Sequence, residues 1–253
     1  FNFEPKSTTL FSCWAEITRT FTNPKSLTSP VMMMIGIFWL AIIFSLSVAG
    51  QEIDSAPTAS GSSGNGTGTT VDDKLQVTIY YEALCYDSIS FITNQLVPTW
   101  ARYRERMDLK LVPFGKAYID DSNPSQPVYY CQHGHRECTL NILHGCILDK
   151  LPLEKAFPVV ACLMKGFRTS FDECIKPNEE AKPGIEECAA GPRGATLFKQ
   201  FSEETATVGT PLGFVPTIEV DKVFELFDQD KWLYRFVPMF QREYKRKFNE
   251  TLE

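Results

Sequence analysis

The chain is poor in the features that would mark a nucleic-acid binder or a zinc module. Lysine and arginine number 25 against 31 aspartates and glutamates, a formal charge of −6. No surplus of cations is available to track a phosphate backbone, which argues against a general nucleic-acid binder. The basic stretch Arg242-Glu243-Tyr244-Lys245-Arg246-Lys247 reads as the solvated face of a last helix rather than as a nucleic-acid or lipid patch. No two cysteines stand three positions apart, so the close paired-ligand spacing of structural zinc sites is missing. Histidine is scarce, with His133, His135 and His144 the only three. What is present suits a soluble protein with a core: 43% hydrophobic and 22% charged residues over a length of 253, which fits one domain plus processed or flexible ends.

Residues 31–49 carry no charge and approach the length that spans a bilayer. As a signal peptide this stretch starts at Met32, Met33 or Met34, has an apolar region from Ile35 to Leu46, and is cut after Ala49 or Gly50, with Ser47 and Ala49 as the small residues. As an uncleaved anchor it has Lys25 as its nearest basic flank. The cleaved signal, residues 32–50, is the expectation, with membrane contact only if residues 31–49 remain uncleaved. Residues 1–31 receive no fold assignment. Residues 51–72 are rich in Ser, Gly and Thr and form a flexible linker. The domain runs from 73 to 253. Asn65-Gly66-Thr67 and Asn249-Glu250-Thr251 have the form of N-glycosylation acceptors, making Asn65 and Asn249 the expected glycan sites.

Cleavage removes Cys13 and leaves seven cysteines, an odd number on an oxidising route, which flags an intermolecular bond or a free reactive thiol. Leu75-Gln76-Val77-Thr78-Ile79-Tyr80-Tyr81 alternates like a strand. After Glu82-Ala83-Leu84-Cys85, the residues Ile89, Ile92, Leu96, Trp100 and Tyr103 recur at helical spacing to about Arg106. Cys85 therefore stands where a strand ends and a helix begins. Unpaired backbone N–H groups and the positive helix end stabilise an anion there and favour the thiolate that attacks disulfides. This is the nucleophile position of thioredoxin-type dithiol enzymes, but Ser88 occupies the place of their second cysteine. Pro98 should bend the helix. Gly213-Phe214-Val215-Pro216-Thr217-Ile218-Glu219-Val220 reads as loop, X-Pro step and strand. Thioredoxin-like proteins carry a cis proline at such a place, and the backbone of the residue before it pairs with substrate. Tyr86, Val215 and Pro216 are thus the candidate substrate-binding residues beside Cys85 and Ser88.

The run from Cys131 to Cys146 holds three cysteines and every histidine. Its residues Cys131, Gln132, His133, Gly134, Glu137, Cys138, Asn141 and Cys146 match each fixed position of a known signature, and through it the chain resembles the gamma-interferon-inducible lysosomal thiol reductase family. Val77 to Cys85, Pro98-Thr99-Trp100, Leu111 to Gly115 and Val215-Pro216 share the resemblance, which covers about residues 75–245. It implies a thioredoxin-like α/β sandwich with a cysteine-rich helical insertion at about 131–205. It further implies a secreted or lysosomal, N-glycosylated protein that reduces disulfides of unfolded protein substrates at acidic pH. Cys85 matches the attacking cysteine of the family, while Ser88 departs from the usual resolving cysteine.

Cys131, Cys138, Cys146, Cys162, Cys174 and Cys188 are even in number and consistent with three disulfides in any of fifteen pairings. Zinc held by Cys131, Cys138, His133, His135 and His144 is the disfavoured alternative, so no metal and no cofactor are expected, only an external small thiol as reductant. The histidines read as surface or helix-capping residues. Leu140, Leu143, Ile147 and Leu151 read as the packed stripe of a helix. Ser88 could donate a hydrogen bond to a Cys85 thiolate, and Asp87 opposes that thiolate when ionised. The remaining expectations are a helix over 86–106, a strand over 108–114, a variable loop through Gln132, and short helices from Cys138 to about Thr205. After these come a strand over 216–220, a short strand near 223–225 and a last helix over 229–248. The alternative function is a client-binding protein with a degenerate site that does not turn over.

Overall fold

The computed structural model describes residues 73–166, 169–208 and 212–253. The N-terminal extension, the signal segment, the linker and Asn65 lie outside these residues. The central strand β1 (Leu75–Tyr81) is built by the alternation read from the sequence: Leu75, Val77, Ile79 and Tyr81 are wholly buried on one face, while Gln76 is exposed and Thr78 partly so. Strand β2 (Met107–Pro113) pairs with it in parallel, Leu75 opposite Met107 through Tyr81 opposite Pro113.

The connection between these strands is helical from α1 (Tyr86–Phe91), through a π-helical segment Ile92–Leu96, to α2 (Val97–Tyr103). Pro98 has no N–H to donate to the preceding turn, and the register widens just upstream of it. Ile92, Leu96, Trp100 and Tyr103 from this crossover all enter the core.

The rest of the architecture packs around this unit. Strands β3 (Tyr118–Asp120) and β4 (Val128–Tyr130) form an antiparallel hairpin within the segment expected to be a loop. Tyr129 meets the Phe198 ring at 5.1 Å, an apolar anchor that three-residue strands among polar residues do not advertise. The insertion follows as α3 (His135–Lys150), α4 (Leu153–Leu163), α5 (Phe171–Ile175), α6 (Lys182–Ala190) and α7 (Pro192–Ala206). The helices begin at His135, ahead of Cys138. Three disulfides fasten them: Cys131–Cys138 at the start of α3, Cys146–Cys188 between α3 and α6, and Cys162–Cys174 between α4 and α5.

Strand β5 (Thr217–Val220) then runs antiparallel on the free side of β1, giving the order β2-β1-β5. The expected strand near 223–225 is reduced to an isolated bridge between Val220 and Val223. The last helix is two, α8 (Gln229–Tyr234) and α9 (Phe236–Phe248), broken at Arg235 (φ −140°, ψ 47°). Pro238 cannot donate to the Tyr234 carbonyl, so the first helix stops and a second starts. Phe236, Phe240 and Tyr244, four residues apart, form a wholly buried aromatic column against the core. A strand–helix–strand unit, an antiparallel strand entered through a cis proline and a closing helix make this the expected thioredoxin-like α/β fold with a helical insertion.

Candidate active site

At the end of β1 the chain turns through Glu82-Ala83-Leu84 and enters α1 with Cys85 as its N-cap residue. A turn inside a protein must dispose of its backbone N–H groups. Here three consecutive ones go to side chains. The Glu82 N–H donates to Ser88 Oγ at 3.4 Å, the Ala83 N–H to Asn141 Oδ1 at 2.9 Å, and the Leu84 N–H to Glu137 Oε1 at 3.2 Å. Ser88 is wholly buried. Its oxygen therefore serves the turn, a task the expectation of a donor to the Cys85 thiolate did not include.

Cys85 is itself wholly buried, in a small apolar cluster with Tyr80, Val112, Leu212 and Val215. Its Sγ lies 3.8 Å from the carbonyl oxygen of Val215, and the Val215–Pro216 peptide bond is cis. The strand-to-helix cysteine and the proline step, 130 positions apart in the chain, thus meet. Tyr86 is 72% exposed and faces solvent next to the buried sulfur. Asp87 lies with Asn94, Leu233 and Tyr234 around a depression whose lining includes neither Cys85 nor Pro216.

Beneath the turn lies a group of side chains that sequence reading did not assemble. Glu82 is wholly buried, with Oε1 accepting from the Lys116 N–H at 2.8 Å. Its Oε2 has no hydrogen-bond partner and stands 3.6 Å from His133 Nδ1, too long for one. Glu137, also wholly buried, has Oε1 at 2.7 Å from His133 Nδ1, and its Oε2 accepts from the His133 N–H at 3.0 Å. Burial, then the neighbouring Glu137 charge, pushes the Glu82 carboxyl up to about 8. One donor atom from each of Glu82, His133 and Glu137 lies within 4.8 Å of the others. The arrangement is a hydrogen-bonded group built onto the turn, with His133 and Glu137 already engaged with each other and with the backbone.

The histidines separate accordingly. His135 is the exposed first residue of α3, as expected, and His133 pairs with Glu137. His144 corrects the surface reading: it is 1% exposed, hydrogen-bonded through Nδ1 to the Tyr81 hydroxyl at 3.0 Å, and burial lowers it to about 3. The packed face of α3 is correspondingly different from the expected stripe. Glu137, Asn141 and His144 are buried at helical spacing, whereas Leu140 and Leu143 are only partly covered. That polar face, charged and amide side chains recurring four and three residues apart, is the sequence signal that could have found the group. Zinc through Cys131 and Cys138 is set aside, because these two are joined in a disulfide.

Gly115 closes the group from the other side. Its φ is +61°, and a Cβ placed on it would stand 2.4 Å from Glu82 Cγ. Gly115→Ala is expected to cost about 2 kcal/mol or more, from the left-handed backbone and the displaced carboxyl together. A urea-unfolding midpoint unchanged from the native chain would disprove the close approach.

Fold and site define a thioredoxin-like protein organised around a strand-to-helix cysteine that faces a cis-proline carbonyl. Residues 76–189 match the family model "Gamma interferon inducible lysosomal thiol reductase (GILT)". GILT-like protein 2 of Drosophila melanogaster is 32% identical over 183 residues, 71% of this chain and 85% of the relative. The gamma-interferon-inducible lysosomal thiol reductase of Mus musculus is 31% identical over 214 residues, 77% of this chain and 83% of the relative. Among solved structures, the reduced form of the disulfide bond oxidoreductase DsbG from Mycobacterium tuberculosis superposes with a TM-score of 0.47 at 14% identity, covering 70% of this chain and 80% of that one. The chain belongs to the gamma-interferon-inducible lysosomal thiol reductase family.

Proposed function

We propose that this protein reduces or shuffles disulfides of unfolded protein substrates, with Cys85 as nucleophile and Ser88 in place of a resolving thiol. The observation that carries the reading is the approach of Cys85 Sγ to the Val215 carbonyl at the cis-proline step. Attack by the Cys85 thiolate on one substrate sulfur forms a mixed disulfide and releases the other sulfur as a thiolate, which takes up a proton. If a different thiolate of the same substrate chain attacks the mixed disulfide, Cys85 leaves again as thiolate and the substrate carries a rearranged disulfide, whereas attack by the thiolate just released restores the original one. Two equivalents of an external small thiol instead release the reduced substrate and Cys85, and leave the small thiol as its own disulfide. Because Cys85 is wholly buried in its apolar cluster, a substrate reaches it only when neighbouring side chains yield. Exposed Tyr86, with Val215 and Pro216, borders the path.

The family membership supports an acidic endosomal or lysosomal compartment, or secretion, as the place of action. Glycans at Asn65 and Asn249 fit that route. Asn249 is exposed at the end of α9 in a left-handed conformation (φ 56°) and is accessible to modification. Among the described residues no helix is long and apolar enough to cross a membrane.

The second reading, client capture without turnover, is favoured by serine at 88 and by the burial of Cys85. Reduction of an unfolded disulfide protein at pH 5, with a small thiol supplied, separates the two. The native chain is expected to turn over only with the small thiol present, and Cys85→Ser to fall to the uncatalysed background. If the native chain and Cys85→Ser are equally silent while Ser88→Cys turns over, the enzymatic reading is lost and capture stands.

A further inference from the structure

The turn that presents Cys85 is held mainly from the insertion. Of the three side chains that take its successive N–H groups, two belong to α3, and Glu137 is the hub, bonded at once to the Leu84 N–H and to both the backbone and the ring of His133. A Glu82 oxygen lies within 4.8 Å of one from Glu137, and the buried Glu82 Oε2 has no hydrogen-bond partner. We propose that Glu137 is a positioning residue for Cys85, and that ionisation of Glu82 weakens the positioning, so that the nucleophile is best held while the carboxyl pair retains a proton. This deepens the proposed function and rests on Cys85 as nucleophile.

The physical argument is one of charge in a dry place. Two carboxylates sharing a buried site repel, and neither is well solvated, so the pair keeps a proton until the medium is alkaline enough to remove it. The charged and titratable groups around Glu82 are Glu137 from α3, His133 from the turn before it, Lys116 from the turn after β2, and the Cys85 thiol three residues along the chain. Lys116 lowers the Glu82 carboxyl, but burial and Glu137 outweigh it, and the group sits at about 8. A second negative charge has two consequences for Cys85. It pushes Glu137 away from the Leu84 N–H, which adjoins the nucleophile, and it disfavours a thiolate nearby.

Alkylation of Cys85 by iodoacetamide, followed by mass spectrometry between pH 5 and 9, tests this in the full chain. Native protein, Glu82→Gln, Glu137→Gln and Glu137→Ala are compared, with urea-unfolded samples giving the total thiol. Glu82→Gln should match the native rate near pH 6 and exceed it by about fivefold near pH 8.5, because the second charge never appears. Glu137→Gln, which keeps an acceptor for Leu84, should lose the same alkaline lag. Glu137→Ala should depart from the native rate at every pH. Superimposable native and Glu82→Gln profiles would overturn the inference while leaving Cys85 as nucleophile. No labelling of folded protein at any pH in any variant, with full labelling in urea, would overturn the nucleophile and this inference with it.

Discussion

Stability of this domain is expected to rise as the pH falls from about 8 to 6.5, to stay level down to about 4.5, and to decline below that. Two buried groups with opposite linkage set this shape. Glu82 moves from an ordinary 4.5 to about 8 on folding, so the folded state holds a proton the unfolded state lacks. Its contribution is full below 4.5 and is lost as the pH climbs through 8. His144 moves from 6.5 to about 3, so the unfolded state binds the extra proton. Its contribution is full above 6.5 and is lost as the pH falls toward 3.

Each slope is about 1.4 kcal/mol per unit of pH, and between 4.5 and 6.5 they cancel. Each group alone accounts for something of the order of 5 kcal/mol over its own range, but because the two cancel between 4.5 and 6.5 each limb of the profile amounts to about 2 kcal/mol. Urea titrations at intervals between pH 3 and 9 read the profile. Glu82→Gln should flatten the alkaline limb, and His144→Asn, which can still hydrogen-bond the Tyr81 hydroxyl, the acid limb. A native profile without the level stretch, or variants that leave both limbs in place, would refute the assignment.

The second large effect is expected from Cys146 and Cys188, replaced together by alanine. Their bond closes a separation of 42 residues, the longest of the three, and both sulfurs lie in the main core. Releasing a loop of that size raises the entropy of the unfolded chain by an amount worth about 4 kcal/mol. The same reasoning gives roughly 2 kcal/mol for Cys131–Cys138, whose separation is 7. Unfolding midpoints under non-oxidising and non-reducing conditions should fall in that order. A loss below about 1 kcal/mol for the Cys146–Cys188 pair would mean that helix packing alone holds α3 to α6. Because α3 carries Glu137 and Asn141, the double variant should also reduce activity at temperatures where the fold persists.

Much of this arrangement could be read along the chain because its signals are local. The alternation from Leu75 to Tyr81 reports a half-covered strand, and the spacing from Ile92 to Tyr103 reports a helix facing the same core. The position of Cys85 follows from where those two patterns meet. Val215-Pro216 was legible as a step into a strand, though its approach to Cys85 bridges 130 residues.

What stayed hidden depends on distant partners. Glu82 looks like any acidic residue at a strand end, and only Lys116 and α3, 34 and more residues away, make it buried. His144 reads as a polar helix position until Tyr81, 63 residues upstream, supplies its partner. The pairing of six cysteines is equally non-local. The hairpin at Tyr118 and Tyr129 is not legible because three-residue strands carry too little pattern to rise above the polar turn between them.

The polar face of α3 also bears on whether the insertion can be treated as a detachable module. Excising residues 131–205 to obtain a minimal scaffold would strip acceptors from the Ala83 and Leu84 amides and remove the partner of the Tyr81 hydroxyl. Each such buried group left unmatched costs about 1–3 kcal/mol. A trimmed protein would therefore fail first at the strand end that bears Cys85. For the same reason, transplanting the cysteine and its proline step into another scaffold would require Glu137, Asn141 and His144 to travel with them.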